Sequence, residues 1–399
     1  MDGAEVSGEH RPGGPWRTRV AGRIADIDEV AWDACAGQAS AAANPFLRHR
    51  FLRTLEDSGC VSPRAGWTPH HVVLEEASGA LIAAAPAYQK THSQGEYIFD
   101  QGWAEAYETA GGRYYPKLLV AVPFTPVPGP RLMASSDAAR GALLNALVAE
   151  TNGLGASSLH VNFCREEEWT FLGAQKLAQR TGEQFHWHNR GYDSFDAFVS
   201  DLASRKRKAV RKEREAAASG GKITFRTLQG ADILEEHWDA FFAFYMDTGS
   251  RKWGRPYLNR KFFSLLGQAM AEQVVLVFAY RGRTPIAGAL NLVGPNCLYG
   301  RYWGCTEYHP ALHFEVCYYQ AIDYAIAHKL ARVEAGAQGP HKLARGYLPA
   351  RTYSAHYLAD PALRRAVEQY LVKERAYVET EMRELGEHSP FRQMQDEQD

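Results

Sequence analysis

The chain has 399 residues, 45% of them hydrophobic and 23% charged, which supplies apolar material for more than one packed core and excludes a disordered or fibrous protein. Its net charge of −1 gives no overall pull toward a polyanion, so such a site has to come from local clustering. No run approaches the ~18 uninterrupted apolar residues of a membrane span, and the MDGAEVSGEHRPGGP opening has no signal-peptide core, which makes the cytoplasm the expected address. Six scattered cysteines without a CxxC pair read as free thiols rather than a disulfide framework.

In chain order, residues 1–18 read as a disordered lead and 386–399 as a polar tail, both without periodicity. HHVVLEE (70–76), LIAAAPAYQ (81–89) and EYIFD (96–100) are predicted strands. A Pro-rich insertion, a helix near 138–151, strand SSLHVNF (157–163) and helix WTFLGAQKLAQ (169–179) follow. SRKRKAVRKERE (204–215) reads as a basic helix. From His237, HWDAFFAFYMDTG sets Trp238, Phe241, Phe242 and Tyr245 on one helical face. VVLVFAY (274–280), PIAGALNLV (285–293) and CLYGRYWG (297–304), joined by RGRT and GPN, predict an antiparallel meander. Helix 312–330 carries an apolar arc of Leu312, Val316, Tyr319, Ile322, Ile326 and Leu330 and leads into strand 331–337.

The order of meander, helix and further strand occurs twice, which predicts a duplicated α/β (α+β) chain. It resembles the GNAT acyltransferase fold in tandem. NPFLRHRFLRTLEDSG (44–59), YYPKLLVAVPFTPVPGPRL (114–132), SRKRKAVRKER (204–214), RKWGRPYLNRKFF (251–263), YWGCTEYHPALHFEVCYYQ (302–320) and EAGAQGPHKLARGYLPARTYSAH (334–356) narrow the resemblance to the FemAB-like proteins, relatives of the peptidoglycan-bridge FemABX transferases. The expected division is a first GNAT-like domain over 19–190, a basic helical linker over 191–222 and a second GNAT-like domain over 223–385. The resemblance implies a bacterial enzyme transferring an acyl group to an amine, with no covalently bound cofactor. The phosphate-binding Q/R-x-x-G-x-G/A loop of an ordinary acetyl-CoA enzyme is missing, its place taken by GCTEYHPAL (304–312). Aminoacyl-tRNA, the FemABX donor, is therefore the natural rival to acyl-CoA. A non-catalytic nucleic-acid or nucleotide-binding module is the alternative of another class.

Glu315 falls inside the apolar arc of its helix, where a carboxylate needs a partner or a raised pKa. It is the candidate general base for the attacking amine, set against a glutamate merely favoured by the helix dipole. Asp323 shares the arc, but eight residues along a helix is ~12 Å, too far for a shared proton. The strand-end loop 334–349 gathers Glu334, Gln338, His341, Lys342 and Arg345 without the GxxxxGK[ST] spacing of a P-loop. In this reading His341 and Lys342 stabilise an oxyanion or hold a phosphate, His313 contacts Glu315 or substrate, and Glu334, Gln338 and Arg345 bind substrate. Arg251, Lys252, Trp253, Arg301 and Tyr302 are further candidates for lining the cleft. Cys305, His309, His313 and Cys317 recur every four residues, yet Pro310 starts a helix inside the run, so no metal set is expected. Arg205, Lys206, Arg207, Lys208, Arg211 and Lys212 are the candidate grip for phosphate or nucleic acid, with a solvated linker helix as the plainer reading. The expected acceptor is a small-molecule or peptide amine.

Overall fold

The computed structural model describes residues 16–40, 43–252, 256–336 and 339–392. The first half contributes strands β1 (Arg17–Ala21), β2 (Trp67–Pro69), β3 (His71–Glu75), β4 (Leu81–Ala85), β5 (Ala87–Lys90), β6 (Lys117–Val120), β7 (Met133–Ala134), β8 (Ser158–Cys164) and β9 (Ala178–His188). The second contributes β10 (Ile223–Gln229), β11 (Val274–Arg281), β12 (Thr284–Val293), β13 (Cys297–Cys305), β14 (Arg332–Glu334) and β15 (Leu348–Leu358). Strands β1, β3, β4 and β7 form a small sheet, and the remaining strands a large one ordered β10-β11-β12-β13-β14-β9-β15-β8-β6-β5-β2.

The second-half meander is as the sequence predicts. β11, β12 and β13 pair antiparallel, and the first turn is tight because Gly282 takes φ +64 between paired Arg281 and Thr284. In the first half the predicted strand 81–89 is broken by Pro86, whose missing N–H ends ladder pairing and lets the chain pass from the small sheet to the large one. Segment 96–100 is not a strand: Tyr97 is left-handed at φ 59, and the chain enters helix Gln101–Thr109. The expected helix 169–179 is Glu166–Ala174, ended by left-handed Lys176, and β9 follows at once. Arg17 and Thr18, placed in the lead by sequence, belong to β1.

The two halves are built alike. β1 pairs antiparallel with β3 as β10 does with β11, and β6 runs parallel to β8 as β13 does to β14. They then exchange their last strands: β9 of the first half pairs with β14, β15 of the second pairs with β8, and β9 and β15 lie side by side. The expectation of two tandem GNAT-like halves holds, and the exchange fuses them into one sheet.

Helix 312–330 exists over 312–327 as a short α segment (Leu312–Phe314), a π-turn (Glu315–Tyr319) and a further α segment (Gln320–Ala327). The arc read from its sequence, Leu312 to Leu330, is buried and packs on the β11–β12 and Trp187–Leu298–Val333 sides of the sheet. The basic helix spans Ser204–Ala218, with Val210 and Ala217 as its buried stripe.

Candidate active site

β13 and β14 pair over three residues only, Cys297↔Arg332, Leu298↔Val333 and Tyr299↔Glu334. β13 continues to Cys305 on β12 while β14 stops at Glu334, so the parallel pair opens there. The π-containing helix, the segment Pro340–Arg345 and the basic helix border that opening.

Glu315 is 2% exposed. Arg214 of the basic helix holds it through Nε to Oε2 (3.1 Å) and Nη2 to Oε1 (2.9 Å), and Gln320 Nε2 donates to Oε1 at 2.7 Å. Its two oxygens thus receive three N–H donors, the environment of a buried ion-pair partner rather than of an open proton acceptor. The same Arg214 Nη2 donates to Asp323 at 2.7 Å. The two carboxylates do converge, on one guanidinium, and burial raises the Asp323 pKa against the pull of Arg214.

One residue earlier, Glu213 accepts both Arg345 Nε (3.0 Å) and Nη2 (2.7 Å) and the hydroxyl of Tyr319. Arg345 lies 3.4 Å above the Phe314 ring and donates to the His341 carbonyl at 2.6 Å. Adjacent residues of opposite charge therefore clamp the basic helix onto the helix and loop at the opening.

Lys342 is 3% exposed, and its ammonium donates to the carbonyls of Ala335 (2.8 Å) and Gly336 (2.9 Å). Burial brings its pKa down to about 8. It holds the loop's backbone, so the phosphate role read from sequence has a structural competitor. His341 Nε2 meets the Tyr318 hydroxyl at 3.0 Å. The His313 ring lies between Trp303 (4.9 Å), Tyr318 (5.3 Å) and His341 (6.2 Å).

Arg301 and Tyr302 do not join this group. Both donate to the carbonyl of Phe124 in the Pro-rich insertion, and the apolar hollow they border measures about 10 Å³, room for a single water. Trp253 and Gln338 lie outside the described residues, as do the side chains of Arg251 and Lys252. Of the six cations proposed as an anion grip, only Arg211 has an ion pair among the described residues, to Asp196 at 3.7 Å with both side chains mostly exposed. Arg205, Lys208 and Lys212 are exposed and Lys206 and Arg207 half-buried.

His186, on the exchanged strand β9, is a residue that sequence reasoning missed. It stands directly across from Glu334, with its Nε2 3.9 Å from Glu334 Oε2. Arg332 Nε holds the other oxygen at 2.9 Å. Nothing local signals this pairing, because the residues are brought together only by the strand exchange.

The first half contains a denser buried network. Lys117 donates to Ser93 (2.8 Å), Glu96 (2.8 Å) and Asp100. Lys90 lies 3.6 Å over the Trp67 ring and 3.7 Å from Glu96, and burial lowers its pKa to about 7. The unfolded chain then binds more protons than the folded one from about pH 7 to the ordinary lysine range near ~10.4, so stability rises with pH across that window. Lys90→Met is expected to flatten that rise in urea titrations at pH 7 and 9.5; an unchanged slope would assign it elsewhere.

The fold is that of two tandem GNAT-like halves sharing one sheet. The chain belongs to the FemAB-like family, described as peptidoglycan biosynthesis/recognition, whose model matches residues 23–393. Among solved structures it is similar to FemX at 12% identity and TM-score 0.54, covering 86% of this chain and 98% of that one. A tandem GNAT protein from the clavulanic acid biosynthesis pathway gives 11% identity and TM-score 0.48, covering 87% of this chain and 99% of that one. L-PGS from Bacillus licheniformis gives 9% and 0.48, with 80% and 95% covered. No curated protein matches. No helix among the described residues is long and apolar enough to cross a membrane.

Proposed function

We propose that the chain is an N-acyltransferase whose reaction takes place where β13 parts from β14, with an aminoacyl group delivered by aminoacyl-tRNA to an amine on a small-molecule or peptide acceptor. The observation that carries this reading is the basic helix. Its Glu213 and Arg214 are spent on Arg345, Glu315 and Asp323, while Arg205, Lys206, Arg207, Lys208 and Lys212 have no ion pair among the described residues. A helix pinned beside the opening with its remaining cations unneutralised suits a polyphosphate donor. The missing glycine loop favours tRNA over CoA, and the family's link to peptidoglycan favours a precursor amine as acceptor. The half-domain boundaries, 19–190 and 223–385 around the linker 191–222, belong to the same proposal.

The test is to incubate the protein with labelled aminoacyl-tRNA, with and without nuclease, or with a panel of acyl-CoAs, in the presence of amines including peptidoglycan-precursor peptides. Amide formation from tRNA that nuclease abolishes is expected. Lys208→Glu with Lys212→Glu should weaken donor binding at least ~10-fold and flatten its salt dependence. Turnover of an acyl-CoA instead would transfer the phosphate role to CoA. Binding without any turnover would favour the non-catalytic module.

A further inference from the structure

The two halves permit an internal comparison at one ladder position. The third residue of β8 is His160 and the third of β14 is Glu334; third from the end of β15 is His356, and of β9 His186. In each half these two residues face each other directly across the exchanged strands.

In the first half the position is saturated. His160 Nδ1 and His356 Nδ1 share a proton at 2.7 Å, His160 Nε2 meets Ser158 at 2.7 Å, and His356 Nε2 meets Ser354 at 3.0 Å. Every ring nitrogen is used, and burial keeps both rings neutral, pushing His160 down to about 3.

In the second half the same position is left open. Glu334 is 3% exposed, yet its Oε2 has no hydrogen-bond partner among the described residues. A buried orphan carboxylate oxygen is costly and calls for a reason. Gln184 donates its amide to the Pro126 carbonyl at 2.6 Å, which turns its Oε1 toward His186 Nε2 at 3.4 Å. The Nε2 of His186 is thereby the N–H side, directed between Gln184 and Glu334, and Nδ1 is the lone-pair side. Nδ1 accepts no hydrogen bond among the described residues. Separations of this kind between catalytic groups are often long before substrate binds.

We infer that His186 and Glu334 form the proton-handling pair of the second half: His186 Nδ1 takes the proton from the acceptor amine, and Glu334, held by Arg332, orients the ring and stabilises the imidazolium. The inference rests on the acyl-transfer reading above. The amine nitrogen bonds to the acyl carbon, its proton passes to Nδ1, and the carbon–oxygen or carbon–sulfur bond of the donor breaks. The imidazolium then returns the proton to the departing oxygen or sulfur, which leaves an amide and the free donor alcohol or thiol. His186 is the catalytic residue and Glu334 a positioning one. The strand exchange makes the site composite, with the first half supplying the base to the second.

Burial lowers the His186 pKa, with Glu334 opposing and Arg332, His188 and Lys342 reinforcing the drop. The base is therefore neutral at pH 7, and kcat should fall only on acidification through that lowered value. His186→Gln is expected to reduce kcat by ~10²–10⁴, leave donor affinity unchanged and erase the acid limb. Glu334→Gln should move that limb to lower pH, and His356→Gln should lower the melting temperature without moving it. In parallel, NMR titration of histidine-labelled protein should show the His186 pKa falling in Glu334→Gln. Full turnover with an intact acid limb in His186→Gln, or a His186 titration indifferent to Glu334→Gln, overturns the pair. A wild-type chain that uses no donor sinks the acyl-transfer reading instead. The NMR titration then decides the pair by itself, coupling sustaining it and independence overturning it.

Discussion

Replacing Lys117 with methionine is expected to destabilise the chain by about 3–5 kcal/mol at neutral pH, the usual cost of removing one partner from a buried ion pair. The shape of the side chain is nearly kept, so the loss reads charge. Lys117 is fully buried, and so are Glu96 and Asp100, which depend on it. Lys90 alone would remain against two carboxylates, and it reaches only Glu96, at 3.7 Å. Burial pushes the Asp100 pKa up, but the Lys117 ammonium overcomes it and holds the carboxylate well below the ordinary range. In the wild type a depressed carboxylate adds stability above the unfolded value near ~3.9 and loses it as pH falls through the lower folded value. Without Lys117 the desolvation is unopposed, both acids protonate more readily, and the folded state gains protons relative to the unfolded one. The deficit of Lys117→Met should accordingly be largest at pH 8 and shrink toward pH 5. Chemical unfolding at those two values reads this directly, and Asp100→Asn in the same background should recover part of the loss. Equal deficits at both pH values would mean that packing, not charge, sets the cost.

The same cluster explains why the first half was harder to read from sequence than the second. The meander 274–305 alternates and turns by local rules, so its strands were legible to within a residue. Glu96 and Asp100 sit in EYIFD, whose aromatic and β-branched residues look like a strand. Left-handed Tyr97 instead turns both acids in toward Lys117, a long-range demand that overrides local propensity. Helix 166–174 ends at left-handed Lys176 where a glycine would have given the signal. β9 was consequently hidden, and His186 with it. Glu315 was legible as a buried carboxylate from its position in the arc. That its partner is Arg214 is not legible, since Arg214 lies 101 residues away on the basic helix and meets Glu315 only through the fold. The sequence shows how dense the basic helix is; only the tertiary contacts separate the residues that clamp it from those left over.

That separation makes Arg214→Met the second large effect. Glu315, 2% exposed, would lose both guanidinium bonds and keep only Gln320, while Asp323 would lose its Arg214 bond. Arg214 keeps 27% side-chain exposure and Asp323 35%, so solvent screens part of the cost, and about 2–3 kcal/mol is expected rather than the full range for a sealed pair. Glu315→Gln in the wild-type background leaves Arg214 its bond to Asp323 and should cost less. Combining Arg214→Met with Glu315→Gln should recover part of the loss, because the uncompensated buried charge is gone. The clamp also positions the cations. Arg214→Met should therefore weaken donor binding although Arg214 is already committed to protein carboxylates, and Glu213→Gln, which loosens the Arg345 side, should act in the same direction. Binding unchanged in both variants would mean that the unpaired cations of the helix work independently of where the clamp holds it.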